Sequence, residues 1–291
     1  MIDLTQFSTE QLSRAFAESD DRRDAGLSIP ADIDYRAGIP YGPDPVYHTL
    51  DLCWPKGAEG ALPTIVSVHG GGYVYGSAER YRFYCADLAQ RGFAVVNFNY
   101  RLAPEHPFPA PLEDLNAVMT WVSENGGAYP IDRGNLFLVG DSAGAQIASQ
   151  YAVICTNPAY AQIMGLRPPI MRLAAVGLNC GMYDPEQQAK KGALMEAYYT
   201  ADYARFEEKL RPLHYLSAAY PPAYLLTSGG DFLREECEPM AKLLAERGVE
   251  TEWKRYGDAS VGHVFHLNIR LPIGREANDD ETRFFKAHIQ N

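Results

Sequence analysis

The sequence lacks several features that would place it in a particular class of protein. It has five cysteines among 291 residues, an odd number without a C-x-x-C pair, which argues against a disulfide framework or a zinc site. No apolar run approaches the ~18 residues of a membrane span. The N-terminus also lacks the basic and apolar regions of a signal peptide. These absences predict a cytoplasmic protein that has no metal and no membrane span.

Basic residues are scarce relative to acidic ones. The 26 Lys and Arg residues face 37 Asp and Glu residues, and the formal net charge is −11. Nucleic acids and anionic membranes bind basic surfaces, so we expect neither as a partner. The expected partner is a small-molecule substrate. The sequence leaves the oligomeric state open, and a homodimer is one option.

Strand and helix patterns alternate from residue 64 onward. Apolar runs predict strands, and helical patterns lie between them. The predicted strands are 46–54, 64–70, 93–100, 136–139, 171–181, 222–230 and 249–257; the predicted helices are 9–23, 79–91, 111–125, 145–151, 235–247 and 276–289. This order is typical of an α/β fold, with a mainly parallel sheet and helices on both faces.

Two segments fall outside this alternation. Residues 26–45 are rich in glycine and proline, which predicts an irregular connection. Residues 186–216 are helical in composition and contain no strand pattern. We therefore expect a single domain over 1–291, in which about 1–45 and 186–216 form a helical cap over the core.

The stretch LFLVGDSAGAQIASQ, residues 136–150, holds the strongest single motif. A strand, a sharp turn with Ser142 and a helix are the layout of a nucleophile elbow, in which Gly140 and Gly144 must be small. The serine would lie at a helix N-terminus, which favours developing negative charge. The alternative is a helix N-cap serine without chemistry. The motif alone does not decide between them.

A glycine-rich loop, His69-Gly70-Gly71-Gly72-Tyr73, follows a predicted buried strand. Successive glycines expose backbone N–H groups that could hold an oxyanion. We assign the donors to Gly71 and Gly72, joined by Ala143 of the elbow. The alternative is an ordinary glycine turn. His69 is expected to bond the loop backbone rather than to move protons.

A general base and an acid should follow the serine in the order Ser, acid, His. His263 lies in a glycine-flanked loop directly after a predicted strand, where α/β sheets place functional groups. His266 is the weaker candidate, since it falls in a helical turn. Asp231 follows the preceding strand and would orient His263. Asp258 is the alternative acid, and Asp231 could also serve as a helix N-cap.

Five motifs occur together in a fixed order: HGGGYVYGS (69–77), NYRLAPEHPFPAPLED (99–114), GDSAGA (140–145), GGDFLREE (229–236) and GHVFH (262–266). In this combination the chain resembles the hormone-sensitive-lipase group of α/β-hydrolase esterases, also called bacterial family IV. The resemblance implies an eight-stranded, mostly parallel sheet with a helical cap. It also implies hydrolysis of carboxylic esters, usually with short acyl chains such as acetyl, without a cofactor.

The resemblance assigns roles residue by residue. The nucleophile, acid and base correspond to Ser142, Asp231 and His263, and the oxyanion hole to Gly71 and Gly72 with Ala143. Two positions depart from the group's pattern. Ala145 stands where a second glycine is usual after the elbow, and Phe232 stands where a proline often follows the acid. Neither departure removes a reacting group.

The pocket and the scissile bond are less well specified. Aromatic residues of the cap and the loops are the candidates for the substrate pocket, and packing inside the cap is the alternative for each: Tyr73, Tyr183, Tyr198, Tyr199, Tyr203, Phe206, Phe7 and Phe16. The same triad could also serve an amidase or an aryl formamidase. A non-catalytic relative that binds a small molecule is disfavoured because His263 is present.

Overall fold

The computed structural model describes residues 8–190 and 192–290. The strands are β1 (Ile33–Pro40), β2 (Thr49–Pro55), β3 (Leu62–Val68), β4 (Ala94–Phe98), β5 (Ile131–Asp141), β6 (Leu173–Asn179), β7 (Ala223–Ser228) and β8 (Thr251–Tyr256). Within these ranges, eight strands form one sheet in the order β1-β2-β4-β3-β5-β6-β7-β8. Strand β2 pairs antiparallel with β1 and β4, and the other pairings are parallel. The predicted eight-stranded, mostly parallel sheet is confirmed.

Helices cover both faces of this sheet. The α-helices are α1 (Thr9–Asp24), α2 (Ala78–Gln90), α3 (Ala110–Asn125), α4 (Ala143–Thr156), α5 (Pro158–Met164), α6 (Pro185–Gln188), α7 (Gly192–Tyr199), α8 (Arg234–Glu246) and α9 (Pro272–Ala287). Short 3-10 helices span Gly126–Ala128, Tyr203–Leu210, Pro212–Tyr215 and Phe265–Leu267. None of the helices in the described part of the chain is long and apolar enough to cross a membrane.

The sheet separates two apolar cores, because neighbouring strand residues point to opposite faces. Val66 of β3 belongs to the larger core, which includes side chains of α3, α4 and α8. Its neighbour Ile65 belongs to the smaller core, which includes side chains of α2 and α9. Both residues are fully buried. Burial on two faces explains why the central strands are continuous apolar runs.

The edge strand β1 corrects one prediction. Residues 33–40 do not form an irregular connection or part of a cap, because they pair with β2 along the sheet edge. Their glycine and proline are compatible with an edge strand: the register shifts between Arg36 and Ile39, and Gly38 has a φ of +72°. The carboxylate of Asp51 on β2 fixes this irregularity by accepting from the Gly38 N–H at 2.9 Å.

Helix α1 begins at Thr9, as the sequence predicted, and its N-cap residue is Ser8. The Ser8 Oγ accepts from the Gln11 N–H at 3.2 Å, and the Gln11 side chain accepts from the Ser8 N–H at 2.9 Å. Leu12 is the fully covered residue of this helix. Helix α1 contacts α7, so the N-terminal helix and the segment that interrupts the alternation do meet.

A carboxyl group buried under the sheet should make the stability depend on pH. Burial raises the pKa of Glu281, on α9, to about 7, although its Oε1 accepts from the Asn179 side chain at 2.9 Å. The folded state holds this proton more tightly than the unfolded state, so stability should fall as the pH rises from about 4 to about 7. A shift of this size corresponds to about 3 kcal/mol.

Glu281→Gln is expected to remove that part of the pH dependence. Urea unfolding at pH 5 and pH 8 should show a smaller loss of unfolding free energy for the variant than for the native protein. Glu246→Gln, an exposed change at the end of α8, is the matched control and should leave the dependence unchanged. An equal pH dependence in Glu281→Gln and the native protein would contradict this assignment.

Candidate active site

Ser142 lies in the turn between β5 and α4, with a φ of +52° and a ψ of −118°. This conformation is strained for a residue with a side chain. Close packing around the turn enforces it: a Cβ on Gly140 would lie 2.3 Å from the Gly144 carbonyl oxygen. A Cβ on Gly144 would lie 2.1 Å from the carbonyl oxygen of Val68. The strand-turn-helix predicted from the sequence is present, with both glycines required.

Substitution of the second glycine should disrupt the fold. Gly144→Ala would force a methyl group against the β3 backbone, which cannot move without breaking the sheet. We expect a loss of at least about 3 kcal/mol in the free energy of unfolding, or insoluble protein. Gly127→Ala is the control, because nothing lies within 4 Å of its added Cβ. Equal melting temperatures for the two variants would contradict the packing described.

The predicted acid and base contact each other. His263 Nδ1 lies 2.7 Å from Asp231 Oδ1, and Asp231 is fully buried. The Asp231 carboxylate also accepts from the Leu233 N–H and from the Thr227 hydroxyl, both at 2.8 Å. Burial alone would raise the pKa of Asp231, but the bond to His263 and these donors lower it below its ordinary value. The carboxylate is thus held ionised beside the imidazole.

The arrangement separates the predicted pair from its alternatives. His266 is fully buried, and burial lowers its pKa to about 3, so it stays neutral and out of reach of a substrate. Asp258 is exposed and bonds to Ser260 of its own loop. By contrast, no described residue bonds to His263 Nε2, and His263 lines the same cavity as Ser142. The geometry therefore favours His263 and Asp231.

The glycine loop provides unused donors next to the elbow. Gly71 and Gly72 have φ angles of +109° and +62°. Their N–H groups and that of Ala143 donate to no acceptor in the described part of the chain. Because Ala143 is the first residue of α4, its N–H is free by helix geometry. These three groups are available for an oxyanion.

His69 has the structural role predicted for it. Its ring is fully buried and stacks on Tyr100, with ring centroids 4.0 Å apart. Its Nδ1 lies 2.8 Å from the Gly70 carbonyl oxygen. Burial lowers the pKa of His69 to about 4, so the ring is neutral at neutral pH. The side chain supports the loop and takes no part in proton transfer.

Ser142 and His263 line one cavity of about 440 Å³. The apolar part of its wall comes from α1, α7 and the loops after β6, β7 and β8: Phe16, Met182, Leu194, Met195, Phe232, Leu233, Val264 and Leu267. The polar part comes mainly from α1, α2, α6 and the loops near the elbow: Ser19, Asp20, Tyr75, Tyr81, Asp141 and Gln188. A cavity of this size accommodates a small organic molecule.

The structure corrects the predicted pocket residues. Six aromatic side chains proposed for the pocket do not form its wall: Tyr73, Tyr183, Tyr198, Tyr199, Tyr203 and Phe206. Tyr73 and Tyr198 instead stack with ring centroids 3.7 Å apart, and both are buried. Phe16 does line the cavity, and Phe7 lies outside the described residues. Aromatic composition alone could not distinguish the packed face of the cap from its open face.

A group of potential metal ligands overlaps the acid and base. Cys180, Asp231 and His263 each have one potential ligand atom, and these three atoms lie within 4.8 Å of one another. However, Asp231 already bonds to His263, and burial keeps the pKa of the Cys180 thiol well above its ordinary value. Metals bind the thiolate rather than the thiol. The group is better explained as an acid–base pair above a buried thiol.

Comparison with known proteins agrees with this geometry. Residues 65–267 match the model of a family described as the alpha/beta hydrolase fold. Esterase LipI of Mycobacterium tuberculosis is 30% identical over 78% of this chain and 74% of its own length. Versiconal hemiacetal acetate esterase of Dothistroma septosporum is 28% identical over 75% of this chain and 70% of its own.

A solved structure extends the likeness to nearly the whole fold. Phosphonate-inhibited esterase B of Lactobacillus rhamnosis superposes with a TM-score of 0.86 and 26% identity, covering 96% of this chain and 94% of that one. The sheet order and the elbow define an α/β hydrolase. The chain belongs to the α/β-hydrolase-fold family, and the resemblance to the hormone-sensitive-lipase group is confirmed.

Proposed function

We propose that this protein is a serine carboxylesterase that hydrolyses short-chain acyl esters, with Ser142 as nucleophile, His263 as base and Asp231 as acid. The observation that carries the proposal is the 2.7 Å contact between His263 and Asp231 in the loops beside the strained Ser142 turn. Esterases among the related proteins support the reaction type. The acyl length is supported by the cavity of about 440 Å³, by a relative named for an acetate ester and by the tributyrin phosphonate in the structure of esterase B.

In the first half of the reaction, His263 Nε2 removes the proton of the Ser142 hydroxyl as its oxygen attacks the ester carbonyl. Negative charge develops on the carbonyl oxygen of the tetrahedral intermediate. The free N–H groups of Gly71, Gly72 and Ala143 would hold that charge, and each donor is worth on the order of 3 kcal/mol. His263 then protonates the departing alcohol, and Ser142 carries the acyl group.

In the second half, water replaces the alcohol. His263 removes a proton from water, which attacks the acyl carbonyl, and the same N–H groups hold the second oxyanion. The acid leaves when Ser142 Oγ recovers its proton from His263. Asp231 remains ionised throughout, since Thr227 and Leu233 donate to it beside the imidazole. It fixes the tautomer and stabilises the imidazolium.

We also propose that α1 and residues 186–216 act as the cap over this site. Phe16 of α1 and Leu194 and Met195 of α7 line the cavity, which supports a role in substrate binding. A cytoplasmic location, a homodimer and the absence of a nucleic acid partner stay proposals drawn from the sequence. Size-exclusion chromatography with light scattering would test the dimer.

A panel of p-nitrophenyl esters from two to sixteen carbons tests the proposed reaction. We expect kcat/KM to be highest between about two and six carbons and to fall for longer chains, because a cavity of about 440 Å³ must hold both the acyl group and the alcohol. Ser142→Ala is the blank for every ester. The amide isostere of the best substrate separates an esterase from an amidase. Turnover that persists in Ser142→Ala would contradict the proposal.

A further inference from the structure

One end of the cavity is acidic and aromatic. Five of its wall residues form this end, which we call the acidic corner: Phe16, Asp20, Tyr75, Tyr81 and Asp141. Phe16 and Tyr75 have ring centroids 5.8 Å apart. Asp141 directly precedes Ser142, so the acidic corner lies next to the nucleophile. Among the wall residues that the structure describes, there is no lysine or arginine.

Asp141 is the best-defined group of the acidic corner. Its side chain is nearly sealed, with the residue 3% exposed. Oδ2 accepts from the Tyr81 hydroxyl at 2.8 Å, and Tyr81 in turn accepts from the Gly70 N–H at 2.8 Å. Oδ1 accepts no hydrogen bond from any residue in 8–190 or 192–290. Burial raises the pKa of Asp141 to about 7, although the Tyr81 bond and the interactions with His263 and Arg23 lower it.

Asp20 adds a second carboxylate to the same wall. Its Oδ2 accepts from the Tyr75 hydroxyl at 2.9 Å, and its Oδ1 pairs with Arg23 at 2.9 Å. Arg23 is not a wall residue, and it also binds Asp24 at 2.7 Å. One arginine therefore serves two carboxylates of α1 and forms no hydrogen bond with Asp141. Two carboxylates thus share the acidic corner, and the arginine that pairs with one of them also pairs with Asp24.

We propose that the natural ester carries a compact cationic group, a protonated amine or a quaternary ammonium, which binds in the acidic corner. This inference rests on the proposed esterase function. A cation beside Asp141 would pair with its carboxylate. The rings of Phe16, Tyr75 and Tyr81 in the same wall would add cation–π attraction. The apolar remainder of the wall would bind the other part of the ester.

Two pairs of isosteric esters test the preference on each side of the scissile bond. The alcohol pair is butyrylcholine and 3,3-dimethylbutyl butyrate; the acyl pair is the p-nitrophenyl esters of 4-(trimethylammonio)butyrate and 5,5-dimethylhexanoate. Each pair differs only in a charged nitrogen for a carbon. At pH 8 we expect kcat/KM to be at least about tenfold higher for the cationic member of one pair. Equal values in both pairs, or preference for the neutral members, would overturn the proposal.

Asp141→Asn identifies the group responsible. The amide keeps the shape of the side chain, so the cationic preference should fall to below about threefold, even if overall turnover drops because the Tyr81 bond to the glycine loop weakens. Glu246→Gln, exposed and at the end of α8, should keep the preference. A preference that survives Asp141→Asn would contradict the role of Asp141.

A binding measurement separates this inference from the proposed reaction. In the Ser142→Ala background, phenyltrimethylammonium should bind at least about tenfold more weakly after Asp141→Asn is added, as measured by calorimetry at pH 8. If the native protein failed to hydrolyse any p-nitrophenyl ester, the proposed reaction would fail while this arm still reported on the acidic corner. Equal affinity with and without the Asp141 carboxylate would overturn the inference.

Discussion

Ser142→Ala is expected to lower kcat for p-nitrophenyl butyrate by about 10⁵-fold or more. The loss should be this large because the serine oxygen forms the covalent intermediate, so the variant keeps only the binding and oxyanion contributions. Stopped assays over hours, with the uncatalysed rate subtracted, would measure the residual activity of the variant. The melting temperature should stay the same or rise, since the strained turn gains a smaller side chain.

The matched control for that change is Ser149→Ala. Ser149 lies on α4, the helix that begins after the elbow, and is buried with its Oγ 3.3 Å from the Tyr220 hydroxyl. Ser149→Ala should lower the stability of the protein and leave kcat within about threefold of the native value. A Ser142→Ala protein that retained more than about a hundredth of native turnover would show that another group is the nucleophile.

Asp231→Asn is expected to give the second largest loss, about 10⁴-fold in kcat at neutral pH. The amide cannot stabilise the imidazolium, and it can present an N–H to His263 Nδ1, which favours the wrong tautomer. KM should change little because Asp231 is fully buried and forms no part of the cavity wall. Steady-state kinetics from pH 6 to pH 9 would separate the two constants.

Asp258→Asn is the control for the acid. Asp258 also follows a strand and was the alternative candidate, but it is exposed and bonds to Ser260. We expect its kcat to stay within about threefold of the native value. If Asp258→Asn caused the larger loss, the assignment of the acid would be wrong, whatever the contact between His263 and Asp231.

The groups proposed to react could be predicted from the sequence because each one follows a strand at a fixed place in the chain order. Ser142, Asp231 and His263 lie in loops after β5, β7 and β8, and parallel strands bring such loops to one edge of the sheet. Ser142 and His263 line one cavity, and Asp231 contacts His263 from outside its wall. Their chemical roles stay predictions. The sequence favoured His263 over His266 because His266 falls in a helical turn. The full burial of His266 supports the same choice.

The pocket could not be predicted in the same way. Tyr198 and Leu194 lie on the same short helix, α7, yet Tyr198 packs inward on Tyr73 while Leu194 lines the cavity. Which side of a cap helix faces the core depends on tertiary packing, which sequence spacing does not specify over two turns. Strand β1 was missed because Gly38 and Pro40 favoured a loop, although residues 33–36 alternate between apolar and polar.

Asp141 was also missed as a wall residue. It falls inside the elbow motif, where its position before Ser142 suggested only a turn residue. Its Oδ1 accepts no hydrogen bond from the residues that the structure describes, and this is visible only when β5, the Gly70 loop and Tyr81 of α2 are assembled. No local sequence pattern indicates that an aspartate next to a nucleophile is buried and lines the cavity. The acidic corner could therefore be recognised only from the structure.

Covalent labelling with a phosphonate would test most directly whether Ser142 is the nucleophile. The native protein should be treated with a p-nitrophenyl butylphosphonate, and the adduct counted by intact mass and located by peptide mass spectrometry. We expect one phosphonyl group per chain, on Ser142, with loss of esterase activity in proportion, no adduct in Ser142→Ala and slower labelling in Asp231→Asn. An adduct on another residue, or full inhibition without modification of Ser142, would contradict it.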